Sequence, residues 1–201
     1  MSESKKTSLF GGGDEWTANA CVNVGGEQYQ WYIYTEGYDL AVNVLVEHAV
    51  ANRCVIDALI YPIVFTARHS IELRLKHIHR VCCTFLNQEY KLPSHHNISK
   101  LWTIVKPLVM KVLPNEDYSD FAYIDDIVFA VNLADNASFA FRYPMDKKGG
   151  KSLEPNARHV NICEFHERYS KAAEALEGIY LSVAYSLENE VELRSHLNNS
   201  Q

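Results

Sequence analysis

From residue 68 to residue 79 the chain reads Arg-His-Ser-Ile-Glu-Leu-Arg-Leu-Lys-His-Ile-His. On an α-helix, which turns about 100° per residue, Arg68, His69, Glu72, Lys76 and His79 fall in one arc. Glu72 is three residues from His69, four from Arg68 and from Lys76, and seven from His79. Its carboxylate can therefore meet a basic group one turn above or below. A solvated helix face with ion pairs at this spacing, each worth about 0.2–0.5 kcal/mol, accounts for the charges. It does not account for two histidines, which titrate near neutrality and suit acid–base work. Arg74 stands apart, at the margin of the apolar stripe, where a charge must snorkel or find a carboxylate. Asp125 and Asp126 on a later helix are its candidate partners. With His79 it also forms an Arg-x4-His pattern, although the two lie about 140° apart on an ideal helix.

Three further groups could join that arc. His95-His96-Asn97 ends a loop before a helix. Asn97 or Ser99 suits the cap of that helix, while His96 can turn toward the polar face of the long helix, where a phosphate would also meet a helix N-terminus. Arg142 lies between Phe141 and Tyr143 in the alternating piece SFAFRYP. On a strand it would point away from both, into solvent or into a cleft, and a planar guanidinium in a cleft suits phosphate or carboxylate. Lys147, Lys148 and Lys151 around Gly149-Gly150 form a charged turn that could grip an RNA backbone. His77 and His79 diverge by about 200° on a helix and cannot chelate one ion. His69, Glu72 and His96 are the set that could, but no metal and no cofactor are expected. Walker, G-x-G-x-x-G, G-x-S-x-G and H-E-x-x-H patterns are absent, which disfavours the common NTPase, dehydrogenase, hydrolase and zinc protease classes.

The elements that must carry these residues follow from periodicity. Ile60, Ile63, Val64, Ala67, Ile71, Leu75, Ile78, Cys82 and Phe85 recur at three and four residues and predict a long helix over about 55–86. Further helices are expected over about 99–112, from 115 to about 133, and from 161 past 187. Another is expected from residue 41, capped by Asp39. The aromatic alternation EQYQWYIY, residues 27 to 34, and SFAFRYP read as short strands. The predicted fold is all-α, a bundle of four or five helices with a small accessory β element. Its organisation is a flexible lead-in at 1–26, a strand element at 27–38, the bundle at 39–190 and a tail at 191–201.

Lys plus Arg total 19 and Asp plus Glu 25, for a formal charge of -6. A chain this acidic is a poor candidate for coating duplex DNA, though a local pocket could hold RNA or a nucleotide. No apolar run approaches the roughly 18 residues of a membrane span, so no membrane partner is expected. The N-terminus lacks the apolar core of a secretory signal. Five cysteines, odd in number and without C-x-x-C, fit a reducing cytoplasm better than a disulfide scaffold.

Over roughly residues 40 to 188, and through Arg74-Leu-Lys-His-Ile-His79, the chain resembles the HEPN superfamily (higher eukaryotes and prokaryotes nucleotide-binding). Those proteins are compact helical bundles, and many are metal-independent ribonucleases marked by Arg-x4–6-His. The segments ARHSIELRLKHI, HHNISKLW and FRYPMDKKGG look like an uncharacterised bacterial group of such bundles. That resemblance implies a shared pocket built from His69, Glu72, Lys76, the His96-Asn97 loop and Arg142, and a homodimer that brings Arg/His pairs together across a two-fold axis. The function implied is RNA cleavage, as a toxin or phage-defence effector, with His79 as general base or acid and Arg74 stabilising charge. His69 with Glu72 is the fallback pair. The alternative is a non-catalytic module that binds a nucleotide or a partner protein, as the accessory subunit of a two-gene system.

Overall fold

The structure is a computed structural model and describes residues 11–146, 148–153 and 159–198. Lys147 and parts of the expected lead-in, charged turn and tail lie outside the described residues. Five α-helices follow in order: α1 Glu27–Ala51, α2 Ile56–Phe85, α3 Ile98–Val112, α4 Phe121–Ala134 and α5 Ile162–Asn198. Single 3-10 turns stand at Trp16–Ala18 and Arg53–Val55. The all-α bundle is thus as the periodicity predicts.

The strand element is not. Residues 27 to 34 form the first two turns of α1, and Asp39 sits inside that helix instead of capping it. The alternation of Tyr29, Trp31 and Ile33 suggested a pleat, but no partner strand lies alongside among the described residues. α1 instead buries Thr35, Val42, Val46 and Ala49, a helical spacing, and leaves Tyr29, Tyr32, Ile33 and Tyr34 exposed. The helix starts where Gly25 adopts φ +79°; a Cβ there would stand 2.3 Å from the Tyr29 ring. Residues 138 to 143 form turns, and the one β pairing among the described residues is an isolated bridge, Met145 to Lys151. α4 begins six residues later than expected. Asp117 accepts hydrogen bonds from both the backbone N–H and the hydroxyl of Ser119, which keeps the chain in a turn after Pro114.

α2 is the axis of the molecule and packs against α1, α3 and α5, while α4 packs on α5 and α3. Its stripe of Ile63, Ala67, Ile71, Leu75, Ile78 and Cys82 is fully buried, against Val42 and Ala49 of α1, Ile98, Leu101 and Val105 of α3 and Leu176 and Val183 of α5. Tyr38 of α1 touches His69, Trp31 stacks on His77 and Glu27 pairs with Arg80. These pairs run in opposite sequence order, so α1 and α2 are antiparallel, as their short connection requires. Arg53–Phe85 is long and apolar enough to cross a membrane by length and composition. It is the core helix here, and its buried charges find their partners within the bundle.

Candidate functional site

Because three helices surround α2, residues on its polar arc are not all wet. Arg68 is 0% exposed, Glu72 2%, and Lys76 is also buried. A buried ion survives only with partners, and two separate networks supply them.

The first is a clasp joining α1, α2 and α5. Arg74 donates to Asp39 and to Glu177, and Asp39 also accepts from Ser70 and Tyr169. Burial pulls the Arg74 guanidinium down, but the two carboxylates outweigh it and hold its pKa above the ordinary value. The expected partners Asp125 and Asp126 are engaged elsewhere, with Trp102 and Lys106 and with Arg168 respectively. They lie on α4, whereas α5 and α1 cover the side of α2 that Arg74 leaves by.

The second network is polar and opens to solvent at one edge. Glu72 Oε1 accepts from Lys76 Nζ at 2.7 Å and from His96 Nδ1 at 2.9 Å. Arg68 donates Nη2 to the His96 carbonyl at 2.6 Å and Nε to the Asp135 carbonyl at 3.2 Å, with Nη1 3.5 Å from Glu72 Oε2. Arg68 therefore ties the loop before α3 and the turn after α4 to α2. Burial raises the Glu72 carboxyl, but Lys76 and His96 outweigh it and its pKa is lowered, so it stays ionised. A carboxylate only accepts, so the His96 Nδ1 carries the proton and donates. The His96 side chain is 58% exposed, with its anchor buried.

Local chemistry sets His96 there. Asn97 caps α3, its side chain accepting from the Lys100 N–H at 2.8 Å. That cap turns the chain so that the preceding residue faces α2. His69 packs edge-on against Tyr38, with ring centroids 4.6 Å apart, and stacks on Phe65. Burial lowers its pKa; Glu72 opposes this, and Lys76, His96 and Arg68 act with burial. Arg142 arrives on the turn after α4. Asp135 accepts from the Phe139 N–H, Ser138 takes φ +58°, and the Ser138 carbonyl accepts from Arg142 Nε at 2.5 Å. The guanidinium is then held between Phe65 and Tyr143, 5.5 and 5.6 Å from their ring centres. Burial lowers the Arg68 pKa, Asp135 and Glu72 oppose this, and the Arg142 charge acts with burial.

His69, Glu72, Lys76 and His96 thus come together beside Arg68, with Asn97 at the base of the loop, while Arg142 lies on the Phe65 side of Arg68. Arg74 and His79 do not meet each other or this group within the chain. His79 packs on Tyr90 with its Nδ1 buried and unbonded, and burial lowers its pKa. Asp39 and Glu177 as partners of Arg74, and Tyr169 as a partner of Asp39, escaped sequence reasoning, as did the bracing role of Phe65. Only the demand of Arg74 for a carboxylate pointed toward them. Among the described residues no group of three His, Cys, Asp or Glu is placed to hold a metal.

This cluster combines an exposed imidazole held by a carboxylate, a second imidazole, and the cations Arg68 and Lys76 on Glu72, with Asp135 and Arg142 beside Arg68. Such a set can accept a proton, return one and neutralise an oxyanion. Compared with protein-family models, curated proteins and solved structures, the chain matches none.

Proposed function

We propose that the chain is a metal-independent RNA-cleaving protein of the HEPN kind, a toxin or phage-defence effector, with its reaction at the Glu72 cluster. The observation that carries this is the hydrogen bond from solvent-facing His96 to buried Glu72. With Nδ1–H given to the carboxylate, Nε2 is the ring nitrogen left to act as acceptor. It takes the proton of a ribose 2′-hydroxyl. The 2′-oxygen then bonds to phosphorus, the phosphorus–5′-oxygen bond breaks, and His69 returns a proton to the leaving oxygen. The products are a 2′,3′-cyclic phosphate and a 5′-hydroxyl. Lys76 and Arg142 hold the phosphate oxygens, and Arg68 stabilises the anionic surroundings.

His96→Ala should lower RNA cleavage at least about 100-fold, the usual contribution of a general base, and Glu72→Gln should do so too with the helical content intact. Because burial lowers the His69 pKa, its acid form is populated only below the ordinary histidine value of about 6.5. The rate should fall as pH rises through that region, and His69→Ala should flatten that limb. Cleavage should persist in EDTA. Wild-type rates for both His96→Ala and His69→Ala would overturn the assignment. If Arg74→Ala and His79→Ala alone lose activity while folding normally, the Arg-x4-His pair is the centre, meeting across a homodimer; sedimentation at micromolar concentration reads that state directly.

A second reading is a non-catalytic nucleotide- or partner-binding module, as the accessory subunit of a two-gene system. The saturation of Glu72 Oε1 by two donors favours it. Nucleotide binding without turnover in the cleavage assay would select it.

A further inference from the structure

α1 has two apolar faces. Thr35, Val42, Val46 and Ala49 are buried against the bundle. Tyr29, Ile33, Leu40 and Val44 recur at four, seven and four residues on the opposite side, about 180° round the helix. These four are between 42% and 60% exposed, so no element among the described residues covers them. Single exposed apolar residues are ordinary, but a stripe of them at helical spacing marks a contact surface. Gly37 lies in the same stripe, exposed, and a Cβ there would meet nothing within 4 Å. The missing side chain leaves a gap between Ile33 and Leu40 where another helix can approach closely. The charges beside the stripe have one sign. α1 contains Glu27, Glu36, Asp39 and Glu47, and neither lysine nor arginine. Glu27 pairs with Arg80 and Asp39 with Arg74. Glu36 and Glu47 are exposed and have no ion-pair partner among the described residues. Both fall within about 40° of Leu40 round the helix.

We propose that the outer face of α1 is a docking surface for a basic amphipathic helix of another protein. The partner's apolar residues, spaced at three and four, pack on Ile33 and Leu40 across the gap at Gly37. Its lysines or arginines meet Glu36 and Glu47. Charge chooses this occupant over a second copy of the chain, since two copies of α1 laid together would set free carboxylates against one another. Tyr38, the α1 residue that touches His69, lies about 140° round the helix from the stripe. The docking face is therefore separate from the Glu72 cluster, and the inference holds under either functional reading of that cluster.

Two synthetic helical peptides of about three heptads serve as probes, both with leucine at a and d, one with lysine and one with glutamate at e and g. Their binding to the full chain is measured by titration calorimetry. The lysine peptide should bind at least about tenfold more tightly than the glutamate peptide. Leu40→Ser should weaken it by a similar factor, and Ile33→Ser is the second variant, needed if Leu40→Ser alters the circular dichroism spectrum. Glu36→Lys combined with Glu47→Lys should reverse the preference, which general attraction of a basic peptide to an acidic chain would not do. Equal binding of the two peptides, lysine-peptide binding that survives both serine variants, or a preference unchanged by the charge reversal overturns the proposal. A wild-type dimer in sedimentation that Leu40→Ser dissociates also overturns it, because a second copy then covers the face. Competition by a peptide of residues 1–10 overturns it too, in favour of the chain's own N-terminus.

Discussion

At the scale of single residues, α2 separates groups of one chemical type by what surrounds them. His69, His77 and His79 lie within eleven residues, yet each meets a different environment. His77 is wedged between Trp31 and Tyr180 with a buried, unbonded Nε2, and burial together with Arg80 and Arg74 pushes its pKa down to about 4. The unfolded ring has the ordinary value near 6.5 and binds the proton first as pH falls. The neutral ring thus contributes stability in full above about 6.5, and that contribution is lost as pH drops toward 4. The loss is on the order of 3 kcal/mol. Urea midpoints at pH 7 and pH 4.5 should therefore converge in His77→Phe, relative to the wild type. Arg74 poses the opposite case, a buried cation satisfied by Asp39 and Glu177. Arg74→Ala leaves Asp39 half-buried without its cation and should cost about 3 kcal/mol, read as a lower urea midpoint. That loss must be subtracted before any effect of the variant on RNA cleavage is assigned to chemistry.

At the scale of elements, α1 and α5 each carry a glycine in their interior, Gly37 and Gly178, both exposed. A Cβ at either would meet nothing within 4 Å. A methyl group is therefore accommodated at both positions, so Gly37→Ala and Gly178→Ala should each stabilise by about 0.5–1 kcal/mol. Thermal melts of the single and double variants check this, and the helices are far enough along their lengths for the gains to add. α1 also shows why a strand was expected where a helix formed. Over residues 27 to 34 the apolar residues recur at two, and only the later spacing of Thr35, Val42, Val46 and Ala49 discloses the helical face. A short window with aromatic residues on every side fits either period. α2 had no such ambiguity, because nine apolar residues kept the helical spacing over its whole length.

At the scale of the molecule, a chain of formal charge -6 sets Arg68 and Lys76 on the Glu72 carboxylate, with Asp135 and Arg142 beside Arg68. Binding of a single RNA strand there should depend on salt only as strongly as a few neutralised phosphates require. With about 0.7 of a counterion released per phosphate on a single strand, the slope of log K against log salt should stay near -2. A slope several times steeper would point to a broad basic surface elsewhere. The sequence by itself determined the helical class, the extent of α2 and the arc on which Arg68, His69, Glu72 and Lys76 sit, because periodicity and i,i+4 spacing are local properties of one helix. It offered His96 as a group that could turn toward that arc, beside a cap at Asn97 or Ser99, without deciding between them. Only the tertiary structure decided that Arg74 belongs to a clasp with Asp39 and Glu177, that Arg68 is the buried hub, and that Arg142 is held by Phe65 and Tyr143. Each of those partners lies on a different element, and which carboxylate or ring meets a side chain depends on how helices pack, which no spacing along one helix encodes.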